Sequence, residues 1–370
     1  MGWKRNLRCQ RRNGIGQYLV RFAILPVGLL VAACAPTLEA ADDPVATVSF
    51  VASSGVSDAS GDVKTSGHLL NSTNKDYQTA DGTLLALQRW LPGKATEDRR
   101  QAEPRAVILA LHGFGDYANG LDEAGQILRQ HGIAVYAYDQ RGFGRSPTRG
   151  FWPGTATLVQ DASDALGLLH HKYPGRPVYL AGVSMGAAVA TVTAATRPYL
   201  MDGVILVSPA VWDRDDMPWY QTLPLSVLSY SLPWLPVSGR GLDIWPSDNI
   251  EMLRRLARDP NMLSSVRVDM VAGLANLMDE ARKRASDVQV PALIMMGRHD
   301  QVIPPDVMAA FARDVAEHDK DGDVDKGSAT ICVYDKGYHM LLRDLNGPRV
   351  IADMAAWVKG GTDSKPADCR

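Results

Sequence analysis

The chain has little net charge, few cysteines and no apolar run long enough to indicate a membrane span. Its 370 residues include 39 basic and 41 acidic side chains, for a formal net charge of −2 at pH 7. A nucleic-acid-binding protein is expected to carry clustered basic charge, so the composition gives no electrostatic case for such a partner. No internal repeat is visible, and the length is ample for one large globular core.

The N-terminal segment has the pattern of a secretory signal. Basic residues precede an apolar run, Phe22–Val31, that is shorter than the roughly 20 residues of a transmembrane helix. The run ends in Val31-Ala32-Ala33-Cys34, which resembles the bacterial lipobox, whose cysteine is lipidated. We therefore predict a signal peptide over residues 1–33 and a lipid anchor on Cys34. An ordinary secretory signal with an incidental cysteine is the alternative.

The lipobox resemblance also implies a location. Ala35 follows the cysteine, and this resembles the pattern of lipoproteins sent to the outer membrane of diderm bacteria. The expected location is the bacterial cell envelope, with the protein facing the periplasm.

Cys332 and Cys369 remain in the mature chain, and an oxidising periplasm would permit a disulfide between them. Cys332 lies in a predicted buried strand, however, so a free buried thiol is the other possibility.

Strand and helix patterns alternate along the chain after a flexible tether at residues 34–75. A hairpin is predicted between Asp76 and Leu91, and strand-like runs then alternate with helices as far as Ser208 and again from Pro291. This order predicts an α/β fold with a doubly wound, mostly parallel sheet. The expected divisions are a first core part at 76–209, a mainly helical cap at 210–289, a second core part at 290–360 and a tail at 361–370.

A G-x-S-x-G motif, Gly182-Val183-Ser184-Met185-Gly186, follows the apolar run that begins at Val178. A short strand before such a motif and a small-residue helix after it are typical of a nucleophile elbow, where the serine hydroxyl projects from a strained turn. Glycine on either side leaves room for that turn. The motif predicts Ser184 as a nucleophile, with an ordinary Gly–Ser turn as the alternative.

A nucleophilic serine needs a base to take its proton and an acid to orient the base, in the chain order Ser, Asp, His. Asp300 and His339 each follow a strand-like apolar run and stand in that order. His299 competes as the base, but it directly precedes Asp300 and cannot easily face it. We predict a triad of Ser184, Asp300 and His339.

An oxyanion hole supplies two backbone N–H donors to the developing negative charge. One donor is the residue after the nucleophile, here Met185. The other is expected in the loop after the strand-like run 106–111, where glycine lets the backbone approach the oxyanion. Phe114 N–H is predicted as this second donor, and His112 as a structural histidine that holds the loop.

These motifs together resemble the α/β-hydrolase superfamily. The matching segments are His112-Gly113-Phe114-Gly115, Tyr138–Ser146, the elbow at Ser184, Gly297–Asp300 and Tyr338-His339. From about Tyr77 to Trp357 the chain is similar to the monoacylglycerol lipase and lysophospholipase branch, also grouped with serine aminopeptidases. The resemblance implies the same triad, with Phe114 and Met185 in the oxyanion hole, and an inserted cap.

Two further segments bear on ligands. The acidic stretch from Glu317 to Gly327 alternates aspartates, but counted from Asp319 it lacks the Gly and Glu that a calcium loop needs at its sixth and twelfth positions. We predict a solvated loop and no metal site.

The cap is rich in aromatic residues and prolines, and Trp212, Trp219 and Tyr220 are expected to line an apolar acyl channel. Their alternative role is cap core.

The sequence therefore predicts a lipid-anchored serine ester hydrolase that acts through an acyl-enzyme and needs no cofactor. The expected partners are a lipid monoester, such as monoacylglycerol or lysophospholipid, and the membrane that holds the anchor; no nucleic acid is expected. A peptidase or amidase with the same triad is one alternative, and a lipoprotein that binds lipid without catalysis is another. Acyl-chain length, head group and oligomeric state are left open.

Overall fold

The structure is a computed structural model that describes residues 68–69, 76–93, 103–239, 241, 243–317, 329–360 and 369. The predicted signal peptide, Cys34 and most of the predicted tether lie outside the described residues. So do the acidic loop from residue 318 and most of the tail.

A mostly parallel sheet forms the centre of the described chain. Its strands, in sheet order, are β1 His68–Leu69, β2 Asp76–Gln78, β3 Leu84–Trp90, β5 Ile133–Tyr138, β4 Ala106–Leu111, β6 Val178–Val183, β7 Gly203–Val207, β10 Ala292–Gly297 and β11 Ala329–Tyr334. Every pairing from β5 through β11 is parallel, whereas β1, β2 and β3 join antiparallel. The predicted fold class is confirmed. The inner strands are continuous apolar runs because helices cover both of their faces.

Helices lie on both faces of this sheet. One face packs on α1 Asp122–Gln130 and α8 Gly347–Gly360, and the other on α2 Thr155–Lys172, α3 Met185–Thr196 and α7 Pro305–Glu317. Each crossover between parallel strands returns the chain to the amino end of the next strand, so these strands all run in the same direction. The carboxyl ends of the parallel strands therefore gather the loops that follow them, which is where such sheets place their sites.

The chain leaves the sheet between β7 and β10. This insertion contains α4 Trp219–Ser231, α5 Ile250–Leu256 and α6 Val268–Lys283, with a small ribbon of β8 Pro236–Val237 and β9 Val266–Arg267. The range predicted for the cap, 210–289, falls inside it. No helix of the described ranges is both long and apolar enough to cross a membrane.

A disulfide joins Cys332 to Cys369. Cys332 is fully buried in β11, and Cys369 forms an isolated antiparallel bridge with it. Of the two possibilities that the sequence left open, the structure therefore has the bridge, which ties Cys369 to β11.

Candidate active site

Ser184 occupies the tight turn between β6 and α3. Its backbone has φ 53° and ψ −116°, a positive φ that is uncommon for residues other than glycine. A Cβ at Gly182 would overlap the backbone of Gly186, and one at Gly186 would overlap the carbonyl of Leu111. Both glycines are therefore required for the chain to turn so closely. The turn holds the half-buried Ser184 hydroxyl at the carboxyl end of β6.

His339 and Asp300 form a hydrogen-bonded chain with Ser184. Oγ of Ser184 lies 2.9 Å from Nε2 of His339, and Nδ1 of the same ring lies 2.7 Å from Oδ2 of Asp300. Because a carboxylate only accepts, Nδ1 carries the proton and Nε2 is the acceptor for the Ser184 hydroxyl. This is the arrangement that general-base activation of a serine requires. The structure thus brings the three predicted residues together from the ends of β6, β10 and β11.

The Asp300 carboxylate is fully shielded from solvent and held by its own loop. Its Oδ1 accepts the N–H groups of Val302 and Ile303 at 2.8 and 2.9 Å. The competing base His299 is exposed and stacks on Tyr338, with 5.5 Å between ring centroids. Its ring is therefore engaged at the surface, and it is His339 that lies against the serine.

His112 fixes the loop that follows β4. Its Nε2 accepts the backbone N–H of Gln140 at 2.9 Å, which places the proton on Nδ1, 2.8 Å from the Gly113 carbonyl. The side-chain amide of Gln140 donates in turn to the His112 carbonyl at 2.8 Å. Burial lowers the pKa of His112 from its ordinary value of 6.5. His112 is thus a neutral residue that holds the loop, in agreement with the sequence prediction.

The same loop brings Phe114 beside the serine. A Cβ at Gly113 would lie 3.4 Å from Cβ of Ser184. Phe143, in the turn after β5, packs edge-on against both His112 and Phe114, with centroids 5.8 and 5.4 Å away. Phe143 therefore supports the loop on the side chains of both residues that flank Gly113.

The two predicted oxyanion donors stand on segments that meet at the serine. Met185 is the first residue of α3, so its N–H has no partner within that helix. Neither this N–H nor that of Phe114 donates to another residue in the described part of the chain. Two unengaged backbone donors next to a nucleophile are what an oxyanion hole requires.

A cavity of about 420 Å³ opens at the Ser184 hydroxyl. Its walls are mostly apolar and come from the loops after β4 and β10, the start of the insertion, and α6. Among the lining side chains are Phe114, Trp212, Leu274, Met278, Val302 and Ile303. Leu274 and Met278 lie one turn apart on α6 and so face the cavity together. A largely apolar cavity with a few polar groups at one point is typical of a small-molecule site.

Of the three aromatic residues predicted to line an acyl channel, only Trp212 lines the cavity, and the prediction was wrong for Trp219 and Tyr220. Trp212 lines the cavity, but Trp219 and Tyr220 are 73% and 61% exposed and lie outside it. They occupy the first turn of α4. This helix packs Leu225 against the core but has no fully buried residue. The outer face of this helix is therefore neither acyl channel nor cap core.

Sequence reasoning missed an ion pair in the cavity wall. Asp116 and Arg343 both line the cavity, and Nη2 of Arg343 donates to Oδ2 of Asp116. Nε of Arg343 donates to the Gly120 carbonyl at 2.6 Å, while Nη1 has no hydrogen-bond partner among the described residues. The two charges are 227 residues apart in the chain, so no local pattern could have paired them.

No three His, Cys, Asp or Glu side chains form a possible metal site within the described ranges. Attack by an activated serine needs no metal ion.

The sequence pattern of the serine aminopeptidase S33 family matches residues 102–346, more than half of the chain. The match runs from the segment before β4 to just beyond His339, so it includes all the predicted catalytic residues. The chain belongs to this family. It is a serine hydrolase with the α/β-hydrolase fold, and the predicted family resemblance and enzyme class are confirmed.

Two curated relatives that the chain matches over most of their length are lipases. The monoglyceride lipase of Homo sapiens is 26% identical over 275 residues, which cover 72% of this chain and 83% of that protein. The monoacylglycerol lipase of Mycolicibacterium smegmatis is 24% identical over 304 residues, which cover 78% of this chain and 99% of that protein.

Solved structures of similar proteins share the fold. The monoacylglycerol lipase of Paleococcus ferrophilus superposes with a TM-score of 0.60 at 22% identity, over 75% of this chain and 98% of that one. A soluble variant of monoglyceride lipase from Saccharomyces cerevisiae, in complex with a substrate analogue, has a TM-score of 0.63 at 19% identity, over 78% and 95%. At these identities the likeness establishes the α/β-hydrolase fold.

Proposed function

We propose that this S33-family enzyme hydrolyses the carboxylic ester of a lipid monoester through an acyl-enzyme. The observation that carries the proposal is the opening of an activated serine into a mostly apolar cavity: Ser184 Oγ is 2.9 Å from His339 Nε2, and most side chains of the walls beyond it are hydrocarbon. An acyl chain is the ligand that such walls stabilise by burial. The monoglyceride and monoacylglycerol lipases among the relatives agree with this substrate class.

The geometry supports a two-step mechanism. Ser184 Oγ attacks the ester carbonyl carbon while Nε2 of His339 takes the hydroxyl proton, and the N–H groups of Phe114 and Met185 bind the carbonyl oxygen as it becomes negative. The imidazolium, stabilised by Asp300, gives its proton to the departing alkoxide, which leaves as the alcohol. Water then attacks the acyl-enzyme with His339 as its base, and the acid is released.

The cavity favours an ester over an aminopeptidase substrate. An aminopeptidase must bind the charged α-amino group of its substrate, which calls for an unpaired carboxylate near the serine. Asp116 is the one carboxylate among the described side chains that line the cavity, and Arg343 already neutralises it. A peptidase or amidase of the same fold is therefore the second candidate, supported by the family description and not by the charge of the site.

The same ion pair favours monoacylglycerol over lysophospholipid. Asp116 and Arg343 cancel each other's charge, so this part of the wall offers hydrogen-bonding groups without net charge. A phosphate head group would have to compete with Asp116 for the guanidinium, whereas glycerol hydroxyls can accept from and donate to the pair as it stands. We therefore place the leaving alcohol on this side and the acyl chain against α6.

We further propose that the enzyme acts at a lipid surface. Residues 217–239 contain no charged side chain, and α4 exposes Trp219, Tyr220, Leu223, Val227 and Tyr230 along its outer face. Exposed apolar patches of this kind mark interaction sites, and Trp and Tyr are the residues that favour the membrane–water interface. Together with the lipobox at Cys34, this favours attachment to the envelope membrane through a lipid anchor, with α4 facing the bilayer.

A substrate panel tests the proposed reaction. We expect turnover of monoacylglycerol, weaker turnover of lysophospholipid, and no significant turnover of aminoacyl anilides. The Ser184→Ala variant should lose all but the residual activity that binding and the oxyanion hole supply. Ser163→Ala, which removes a buried hydroxyl bonded to the Val159 carbonyl in α2, is the matched control. Faster hydrolysis of anilides than of esters would favour the peptidase candidate.

A partition experiment tests the location. The full chain made in a diderm bacterium should enter the detergent phase, and Cys34→Ser should release it or leave it unprocessed, because acyl chains supply most of the membrane affinity. In the Cys34→Ser background, Trp219→Asp should weaken residual binding to phospholipid vesicles. Tyr199→Asp, at an equally exposed aromatic outside the insertion, is the control. An unmodified N-terminus after Ala33 would contradict the anchor.

A further inference from the structure

The backbone amides on either side of His339 are both held by hydrogen bonds. Tyr338 N–H donates to Oδ2 of Asp344 at 2.7 Å, and Met340 N–H donates to the carbonyl of Pro246 at 2.8 Å. The first bond is a charge-assisted one, the stronger kind. His339 thus lies between two backbone amides that are each anchored by a hydrogen bond.

The anchor at Asp344 is shared with the insertion. Its other oxygen, Oδ1, accepts the hydroxyl of Ser247 at 2.7 Å, and Ser247 Oγ accepts the N–H of Asn249 at 3.1 Å. Asp344 is 3% exposed and Ser247 is fully buried. A buried carboxylate is costly unless it is hydrogen-bonded, so the Ser247 donor helps to keep Asp344 in the position from which it holds Tyr338.

Residues 245–249 contact both catalytic loops. This return segment lies between β8 and α5, inside the insertion. Trp245 N–H donates to the side chain of Gln301, next to Asp300, at 2.9 Å. Asn249 Nδ2 donates to the Arg343 carbonyl at 3.0 Å, and Asp248 accepts the N–H of Leu345 at 2.8 Å. The insertion is therefore fastened to the loops that carry the acid and the base of the triad.

We infer that Asp344 is a positioning residue for His339, and that Ser247 ties its alignment to the return segment of the insertion. The inference rests on the proposed catalytic role of His339 and adds a residue that acts through it. Displacing Asp344 would release the Tyr338 amide and let the imidazole drift from Ser184 Oγ. A shift of about 1 Å in a catalytic group can cost about a hundredfold in rate.

The matched variants Asp344→Asn and Ser247→Ala test the inference. Asparagine is nearly the same size as aspartate but has one acceptor oxygen and a donating amide, so it cannot accept from both the Tyr338 N–H and the Ser247 hydroxyl. Ser247→Ala removes only the donor from the insertion. Both should lower kcat by about tenfold or more while KM changes less than about twofold. The rate of labelling by a fluorophosphonate probe should fall by the same factor, whatever the natural substrate is.

Two controls separate positioning from general damage to the fold. Ser163→Ala removes a buried serine hydroxyl from α2, and Asp202→Asn alters a carboxylate that accepts the Val178 N–H at 2.7 Å. Each should affect the melting temperature without a selective fall in kcat. Labelling of Asp344→Asn at the wild-type rate, or losses no larger than those of the controls, would overturn the inference.

The remaining outcomes are also decisive. If Ser247→Ala keeps the wild-type kcat and labelling rate while Asp344→Asn loses them, the link to the insertion is overturned. Asp344 then remains the positioning residue. If the wild-type enzyme itself fails to react with the probe, the proposed function falls and the inference falls with it. If the wild type reacts, Ser184→Ala does not, and Asp344→Asn reacts fully, only the inference fails.

Discussion

Gly297, the last residue of β10, is in direct contact with Gly337 in the loop after β11. A Cβ on Gly297 would overlap the carbonyl of Gly337, which also accepts the His299 N–H at 2.9 Å. Neither glycine has a positive φ, so it is lack of room that requires glycine here. The contact brings the Asp300 loop against the His339 loop, and Asp300 and His339 share a hydrogen bond of 2.7 Å.

Gly297→Ala should therefore separate the acid from the base. Because the clash is with a backbone carbonyl, it cannot be relieved by moving a side chain, and the loop after β11 must shift. We expect kcat to fall by about tenfold to a hundredfold, measured with a soluble short-chain ester. Gly93→Ala, where an added Cβ meets nothing within 4 Å, is the control. Wild-type kcat in a folded Gly297→Ala protein would contradict this role for the contact.

Trp212 and Trp219 should have separable effects on substrate choice. Burial of each additional methylene contributes up to about 0.8 kcal/mol, so the specificity constant should rise with chain length until the cavity is full. Trp212→Ala should reduce kcat/KM for octanoate and laurate esters on the order of tenfold relative to butyrate. Trp219→Ala should leave this profile unchanged, because its side chain lies outside the cavity. If both variants keep the chain-length profile of the wild type, the cavity does not hold the acyl chain.

The error over Trp219 and Tyr220 has a physical cause. Sequence patterns assume that large apolar side chains are buried, and by that assumption an aromatic segment belongs either to a core or to a channel. Helix α4 carries its exposed aromatics on the face opposite Leu225. If that face meets a lipid surface, as we propose, its apolar side chains point away from the protein. A rule that assigns large apolar side chains to the protein interior then places them on the wrong face of the helix.

Arg343 should act on the alcohol side of the substrate. Arg343→Met removes the cation and leaves Asp116 without its partner, so we expect KM for monoacylglycerol to rise by about tenfold, the effect of losing a hydrogen bond to a charged group. The p-nitrophenyl ester of the same acid lacks glycerol hydroxyls and should be affected far less. Arg176→Met, which breaks an exposed pair with Glu103, is the control. Equal losses on both substrates would remove the argument for glycerol recognition.

His112 should make the fold sensitive to acid. Its pKa is lowered by burial, so below about pH 6.5 the unfolded chain binds a proton that the folded chain does not, and stability falls as the pH falls. The slope from one such group is at most about 1.4 kcal/mol per pH unit. In urea unfolding at about pH 7.5 and pH 5, His112→Gln should lose less stability than the wild type. His171→Gln, at an exposed histidine, should behave as the wild type; equal losses in all three proteins would contradict this account.

The triad and the fold could be predicted because their signals are local. Each catalytic residue follows an apolar run that became a strand, and parallel strands bring such positions to one edge whatever their separation in sequence. The ion pair of Asp116 and Arg343 and the anchor of Asp344 on Tyr338 and Ser247 carry no such signal. They depend on how separate loops pack: Asp116 and Arg343 are 227 residues apart, and Ser247 and Asp344 are 97 residues apart. The pairing of Cys332 with Cys369 likewise depends on tertiary packing.

The central claim is that Ser184 is the nucleophile of an acyl-enzyme mechanism. The most direct measurement is intact-protein mass spectrometry after reaction with a fluorophosphonate, followed by peptide mapping of the adduct. The account predicts a single phosphonyl group on Ser184 in the wild type, none in Ser184→Ala, and full labelling in Ser163→Ala. A wild-type protein that stays unmodified, or an adduct on another residue that persists in Ser184→Ala, would contradict it.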